Sequence, residues 1–371
     1  MNEHFYKTLK IENFRGIKTL EINDLARVNL FVGKNNCGKT SVLESVFLLT
    51  GIAYPSWMIS MENMRGITLK ESSDLRDFFY ERNHERGIKF VGTQRVGNRR
   101  LAVSPMFGDL HTRQVVGDPL AASGNGRHTS QIDAGNLAAE QSIIGLKYNF
   151  AVADKAAGPE VHYESMTRWT QLGGDIGFAQ TPDGNYKEAM ACRFIGARAY
   201  DHELVDKMLN AKRKEPLLHS LRVVDPKIQD IKTGAGGFVS VDIGLDSFIP
   251  INLLGQGASR ILNILSSIDG MRDGALVVDE IDNGLHVSAI RHMWEMILEH
   301  SAQCRTQIFA TTHNGDVVRF LAEVSGNELF ENDDAVACFA LEKLESDVVR
   351  AFRYSSEDLM KSRNSNIDVR G

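Results

Sequence analysis

Apolar and polar residues alternate along FYKTLKIENF (5–14) and IKTLEINDL (17–25), with Phe14-Arg15-Gly16 at the turn between them. Period-two alternation gives each strand one face for a core and one for water, as in a half-buried antiparallel pair. The run VNLFV (28–32) reads instead as a buried strand. Over residues 39–50 the apolar positions switch to helical spacing. LRDFFYERN (75–83) is a short helix candidate, and GIKFVGTQ, RLAVSPMF, IIGLKYNFAVA and MACRFIGA read as strands within 87–106 and 143–195.

Residues 108–141 are rich in Gly, Ser, Asn and Asp, which predicts a long mobile loop. Residues 200–232 read as a small helical insertion punctuated by Pro216 and Pro226, without the sustained heptads of a coiled-coil arm. Strand character resumes at GGFVSVDIG. The chain then alternates helix 257–268, strand 275–279, helix 286–300, strand 307–311, helix 315–324 and strand 335–341. Such alternation predicts an α/β sheet with helical crossovers.

The chain has 371 residues, 43% of them hydrophobic, enough for a large core. The net charge of −6 offers no global basic surface, so any nucleic-acid contact has to be a local patch. Arg95, Arg99 and Arg100 form one small basic cluster and Lys212, Arg213 and Lys214 another; each is a candidate phosphate contact or a solvated turn. Cys37, Cys192, Cys304 and Cys338 are scattered, against a disulfide framework or a structural zinc site. MNEHFYKTLK lacks a signal-peptide core and no apolar run reaches membrane-spanning length, so a cytoplasmic location is expected.

The chemistry starts between the buried strand and the first helix. Gly33-Lys34-Asn35-Asn36-Cys37-Gly38-Lys39-Thr40 fits G-x-x-x-x-G-K-[ST] at every position. Glycines let the backbone wrap a polyphosphate, and the N–H groups of the loop and of Ser41 at the helix start point at the anion. Lys39 is placed to reach the β- and γ-phosphates of ATP, and Thr40 to ligate Mg²⁺. The acidic partner for the metal is the strand Ala275-Leu276-Val277-Val278, which ends in Asp279 and Glu280. Asp279 is the second Mg²⁺ candidate and Glu280 the base for an attacking water. The alternative for this pair is a solvated acidic turn. His286, His292 and His300 follow along one predicted helix with no acidic partner at ligand spacing, and read as ordinary surface or core histidines.

Asp279-Glu280-Ile281-Asp282-Asn283-Gly284-Leu285-His286 resembles the Walker B and D-loop of ABC-superfamily ATPases of the SMC/RecF/OLD branch. Asn13-Phe14-Arg15-Gly16-Ile17 resembles that branch's opening strands and arginine loop. Leu254-Gly255-Gln256-Gly257-Ala258-Ser259-Arg260 is similar to a degenerate ABC signature, and Ile308-Phe309-Ala310-Thr311-Thr312-His313 ends where the branch keeps its switch histidine. The resemblance covers roughly 1–50 and 245–320, and the closing RAFRYSSEDLM and IDVRG resemble the end of an OLD-type module.

It implies one α/β ABC-type ATPase head over 1–371, with an antiparallel β lobe and the helical insertion. It also implies a Mg²⁺-dependent ATPase that forms a head-to-tail homodimer or higher oligomer. Lys39, Thr40, Asp279, Glu280 and His313 of one chain would then meet Gly255 and Gly257 of the other across ATP. Gly255 stands where a serine is usual, which implies a weaker or slower site, and no Q-loop glutamine is placed. Arg15 is a candidate contact to the nucleotide or to a nucleic acid strand, the alternative being a surface arginine beside a turn.

OLD-type proteins often carry a Toprim nuclease, for which too few residues follow the His313 strand. The expectation is therefore a separate effector, a nuclease or toxin, as in two-gene anti-phage systems such as PARIS, Septu and the retron-associated ATPases. A RecF-like repair ATPase and an ATP-binding scaffold with little turnover are the other two readings.

Overall fold

A computed structural model of the protein describes residues 5–108, 142–153, 159–172, 175–196, 201–234, 237–326, 335–344, 347–355 and 357–359. The expected mobile loop, beyond its first residue Gly108, and the terminal IDVRG lie outside the described residues.

The chain opens with β1 (Tyr6–Phe14), β2 (Ile17–Ile22), β3 (Val28–Val32), α1 (Lys39–Thr50) and α2 (Trp57–Met64). Five strands follow: β4 (Ile88–Gln94), β5 (Asn98–Gly108), β6 (Ser142–Ala153), β7 (Val161–Leu172) and β8 (Asp175–Thr181). Next come β9 (Cys192–Ile195), α3 (His202–Asn210), α4 (Lys214–Val224), β10 (Asp230–Thr233), β11 (Val239–Asp242) and β12 (Ile249–Pro250). The last third holds α5 (Gln256–Gly270), β13 (Ala275–Val278), α6 (Val287–Cys304), β14 (Gln307–Thr311), α7 (Gly315–Ser325), β15 (Val336–Lys343) and β16 (Val349–Tyr354).

Two large sheets result. An antiparallel lobe runs β2-β1-β4-β5-β6-β7-β8, and a six-stranded sheet runs β16-β15-β3-β14-β13-β9. In the second sheet β15, β3, β14, β13 and β9 are parallel and only the edge strand β16 is antiparallel. Successive side chains of a strand face opposite ways, and here they feed two different cores. Val28, Leu30, Val32, Leu276, Val278, Ile308 and Ala310 pack with the helical layer of α5, α6 and α7. Phe31, Val277, Phe309 and Phe339 pack with α1 and the antiparallel lobe. Every residue of β3, β13 and β14 is buried for this reason. α1 runs between the two sheets and is buried along nearly its whole length, so it has no polar face.

Several expectations need correction. Residues 75–83 form no α-helix but the 3-10 turns Ser72–Phe78 and Tyr80–Arg82, broken at Glu81 with φ of 51°. Phe78 and Phe79 are both buried, and Phe79 is extended with φ of −92° and ψ of 142°, which ends the first turn. α2 was not foreseen; its Trp57 lies flat on Phe47 of α1 with ring centroids 4.1 Å apart. The insertion at 200–232 is two helices followed by a strand, because β10 pairs with β11 at the edge of a small third sheet, β10-β11-β12.

Four members of the basic clusters, Arg99, Arg100, Arg213 and Lys214, pair with acids of the same chain. Arg213 pairs with Asp269 at 2.6 Å, and Lys214 pairs with Asp230. Arg99 is buried, bonded to the carbonyls of Leu49 (3.0 Å) and Thr50 (3.1 Å) at the end of α1, and paired with Glu188. It braces the C-terminus of α1 and is no phosphate contact.

Candidate active site

β3 delivers the chain into the loop 33–38, and its turn depends on two glycines. Gly33 has φ of 139° and Gly38 φ of 96°. A Cβ on Gly33 would come 2.4 Å from the Leu341 carbonyl oxygen and 2.9 Å from Cys37 Sγ, so no side chain fits there. Lys34, Asn35 and Asn36 are exposed, while Cys37 and Lys39 are buried. The Lys39 ammonium donates to the carbonyls of Gly33 (2.7 Å) and Lys34 (2.8 Å), which points it into the loop's concavity. Burial lowers its pKa, opposed by Cys37, Asp279 and Glu280. Ser41 is buried in the first turn of α1.

The second half arrives on neighbouring strands. Thr40 Oγ1 lies 3.4 Å from Asp279 Oδ2, across 239 residues of sequence. Thr311, the last residue of β14, was not foreseen as a site residue. Its hydroxyl donates to Asp279 Oδ1 (2.6 Å) and accepts from the Glu280 N–H (2.9 Å). The next residues repeat the stitch: Thr312 Oγ1 donates to Asp282 Oδ1 (2.7 Å) and Asn314 Nδ2 to Asp282 Oδ2 (3.1 Å). His313 between them is exposed. Glu280 is exposed too and sits on a left-handed backbone, φ 47°. The carboxylate and the threonine hydroxyl of Asp279 and Thr40 are hard oxygen donors, the set that suits Mg²⁺.

Gly255, exposed with φ of 100°, caps the N-terminus of α5. Gln256 and Gly257 abut the turn that follows Glu280: a Cβ on Gly257 would lie 3.2 Å from the Gly284 carbonyl oxygen. Among the described residues no bond joins Gly255 or Gly257 to the 33–40 loop of the same chain. Arg260, one turn further along α5, is buried and bonds the main chain of the Asp279–Ile281 segment.

Arg15 is neither a solvated surface arginine nor in contact with the 33–40 loop among the described residues. It forms ion pairs with Glu44 of α1 (2.6 Å) and Glu62 of α2 (2.5 Å), and its guanidinium lies near the rings of Phe14 and Phe78. Two carboxylates and two rings occupy it, so it ties α2 to α1. Burial pushes the Glu44 carboxyl up, opposed by Arg15 and Arg65. His292 does have an acidic neighbour: its Nδ1 is 3.4 Å from Glu295. His300 is buried with Nδ1 on the Met296 carbonyl (2.9 Å).

A family model described as "AAA ATPase domain" matches residues 6–86, the segment containing the phosphate loop. The chain is an ATPase. A second model, described as "AAA domain, putative AbiEii toxin, Type IV TA system", matches residues 163–318 of the ATPase, which carry the acidic strand. An ATP/GTP phosphatase of Helicobacter pylori is 21% identical over 356 residues, 90% of this chain and 91% of that one. The DNA replication and repair protein RecF of Clostridioides difficile is 46% identical over 44 residues, 12% of each chain. Among solved structures, an SMC head bound to the C-winged helix domain of ScpA aligns over 96% of this chain and 99% of its own, at 11% identity and TM-score 0.47. The described elements of the ATPase form an α/β fold. Among the described residues no helix is long and apolar enough to cross a membrane.

Proposed function

We propose that the ATPase is a nucleotide-driven switch that dimerises through its ATP sites and controls a separate effector, a nuclease or toxin, in anti-phage defence. The observation that carries the catalytic part is the convergence of Thr40, Asp279, Glu280 and Thr311 from the ends of two parallel strands and one helix. The loop N–H groups and Lys39 bind and orient the β- and γ-phosphates. Glu280, exposed at the end of its strand, takes the proton of the water that attacks the γ-phosphorus. Thr40 and Asp279 would hold Mg²⁺, which neutralises phosphate charge. His313, exposed two residues after Thr311, would contact the γ-phosphate.

Among the described residues Gly255 and Gly257 make no bond to the phosphate loop of their own chain, and we assign them to the ATP of a second copy. ATP then glues two heads, and hydrolysis weakens the contact. The effector role draws support from the toxin–antitoxin family model over 163–318. The RecF-type repair reading draws support from the short local match at 46% identity over 44 residues.

Glu280→Gln separates these readings. The variant should bind ATP, lose hydrolysis and accumulate as a dimer by light scattering. A pull-down of wild type and variant from the native host, read by mass spectrometry, should recover a stoichiometric effector whose retention follows ATP state. Recovery of replication and repair proteins with DNA, and no effector, would overturn the defence role. A wild type without Glu280-dependent hydrolysis leaves the scaffold reading.

A further inference from the structure

Arg260 lies inside α5 and is 6% exposed. Its guanidinium spends its donors on main-chain oxygens of other segments: Gly196 after β9 (2.7 Å), Asp279 (2.7 Å), Glu280 (2.7 Å) and Ile281 (3.4 Å). None of its described bonds goes to a carboxylate, although Asp279, Glu280 and Asp282 are all close enough to act on its charge. A buried arginine beside three acids that gives its described hydrogen bonds to main-chain oxygens is holding a backbone conformation.

The conformation held is that of Glu280. An L-residue with φ of 47° is disfavoured because its Cβ crowds the carbonyl, and it persists only where the surroundings over-determine it. Here both ends of the residue are gripped. Thr311 Oγ1 takes the N–H of Glu280 at 2.9 Å, and Arg260 takes its carbonyl. The carboxylate is left exposed. The planar fork of arginine reaches several oxygens at once, which a lysine cannot match.

We propose that Arg260 is a positioning residue for ATP hydrolysis, clamping the Glu280 backbone from the first turns of α5 so that the carboxylate faces the attacking water. This role rests on the reading of Glu280 as the base. It also links the signature helix mechanically to the base of the same chain, since Gly255 and Arg260 share α5.

The test uses single-turnover hydrolysis and fluorescent-ATP binding on the full chain, with Arg260→Gln, Arg260→Lys, Glu280→Gln and the double variant Arg260→Gln/Glu280→Gln. Arg260→Gln should lower the hydrolysis rate about 100-fold, the scale of an ångström-sized misplacement of a reacting group. Nucleotide affinity should stay within about threefold of wild type. Arg260→Lys should recover only part of the rate. The double variant should be no slower than Glu280→Gln alone, because a residue acting through Glu280 has nothing left to lose.

Additive losses in the double variant, or a parallel loss of nucleotide affinity, would overturn the role. So would a chain that fails to fold with either glutamine or lysine at this position, since Arg260 would then be holding the fold. If hydrolysis requires Glu280 but ignores Arg260, this role falls alone. If wild type hydrolyses nothing, both fall together.

Discussion

Replacing Arg99 with methionine tests the brace at the far end of the phosphate-loop helix. The Arg99 side chain is 4% exposed and that of its partner Glu188 2%. Burial opposes the arginine's charge, but Tyr6, Glu188 and Tyr186 outweigh it and its pKa is raised. Glu188 also accepts from the Met190 N–H at 3.0 Å and the Tyr186 hydroxyl at 3.3 Å, so it cannot swing out to water cheaply.

Arg99→Met leaves that carboxylate buried without a cation and leaves the Leu49 and Thr50 carbonyls without their donor. Removing one partner of a buried pair costs about 3–5 kcal/mol. Against a typical total of about 5–15 kcal/mol, that is a large fraction of the stability. Arg99→Met/Glu188→Met removes both charges and should cost less than the single variant; it still loses the bonds to the Leu49 and Thr50 carbonyls, the Met190 N–H and the Tyr186 hydroxyl. Urea unfolding followed by tryptophan fluorescence reads the effect, with Trp57 stacked on Phe47 of α1 as the local reporter. A cost under about 1 kcal/mol for the single variant, or a double variant worse than the single, would refute the charge-pair reasoning.

Two further outcomes follow from the same structure. Thr311→Val orphans the Glu280 N–H and one Asp279 oxygen; hydrolysis should fall about tenfold or more while Thr311→Ser stays near wild type, and equal rates for all three chains would remove Thr311 from the site. Burial depresses the pKa of His292, partly offset by Glu295, with His219 adding to the depression. In the unfolded chain this histidine takes a proton near its ordinary value of about 6.5, before the folded one does. Stability should therefore be full above that value and fall as pH drops below it. Denaturation midpoints between neutral pH and about 5 should show the slope, and His292→Gln should flatten it; an unchanged slope removes this histidine as the source.

The local elements were legible where one periodicity dominated. The alternation in 5–14 and 17–25 gave β1 and β2, and the α/β alternation of the last third gave α5 to β15 within a few residues. The phosphate loop was legible because a polyphosphate cradle constrains glycine, lysine and hydroxyl at fixed spacing. α2, only eight residues long, was not; it is held by Trp57 on Phe47 and Glu62 on Arg15. Arg15 and Arg99 misled for a related reason: an arginine's sequence neighbours do not reveal the carboxylates that will surround it.

What the sequence determined by itself is the set of chemical groups and the strands that carry them: the loop 33–40, the Asp279–Glu280 strand end and the His313 strand. What only tertiary structure decided is which groups meet. β3, β14 and β13 lie side by side although far apart in the chain, so Thr40 reaches Asp279 and Thr311 reaches both Asp279 and Glu280. The bonds from Arg260 to the Glu280 segment depend on how α5 crosses that sheet. Periodicity along a chain encodes which face of an element is buried, but the partner across that face is settled by long-range packing.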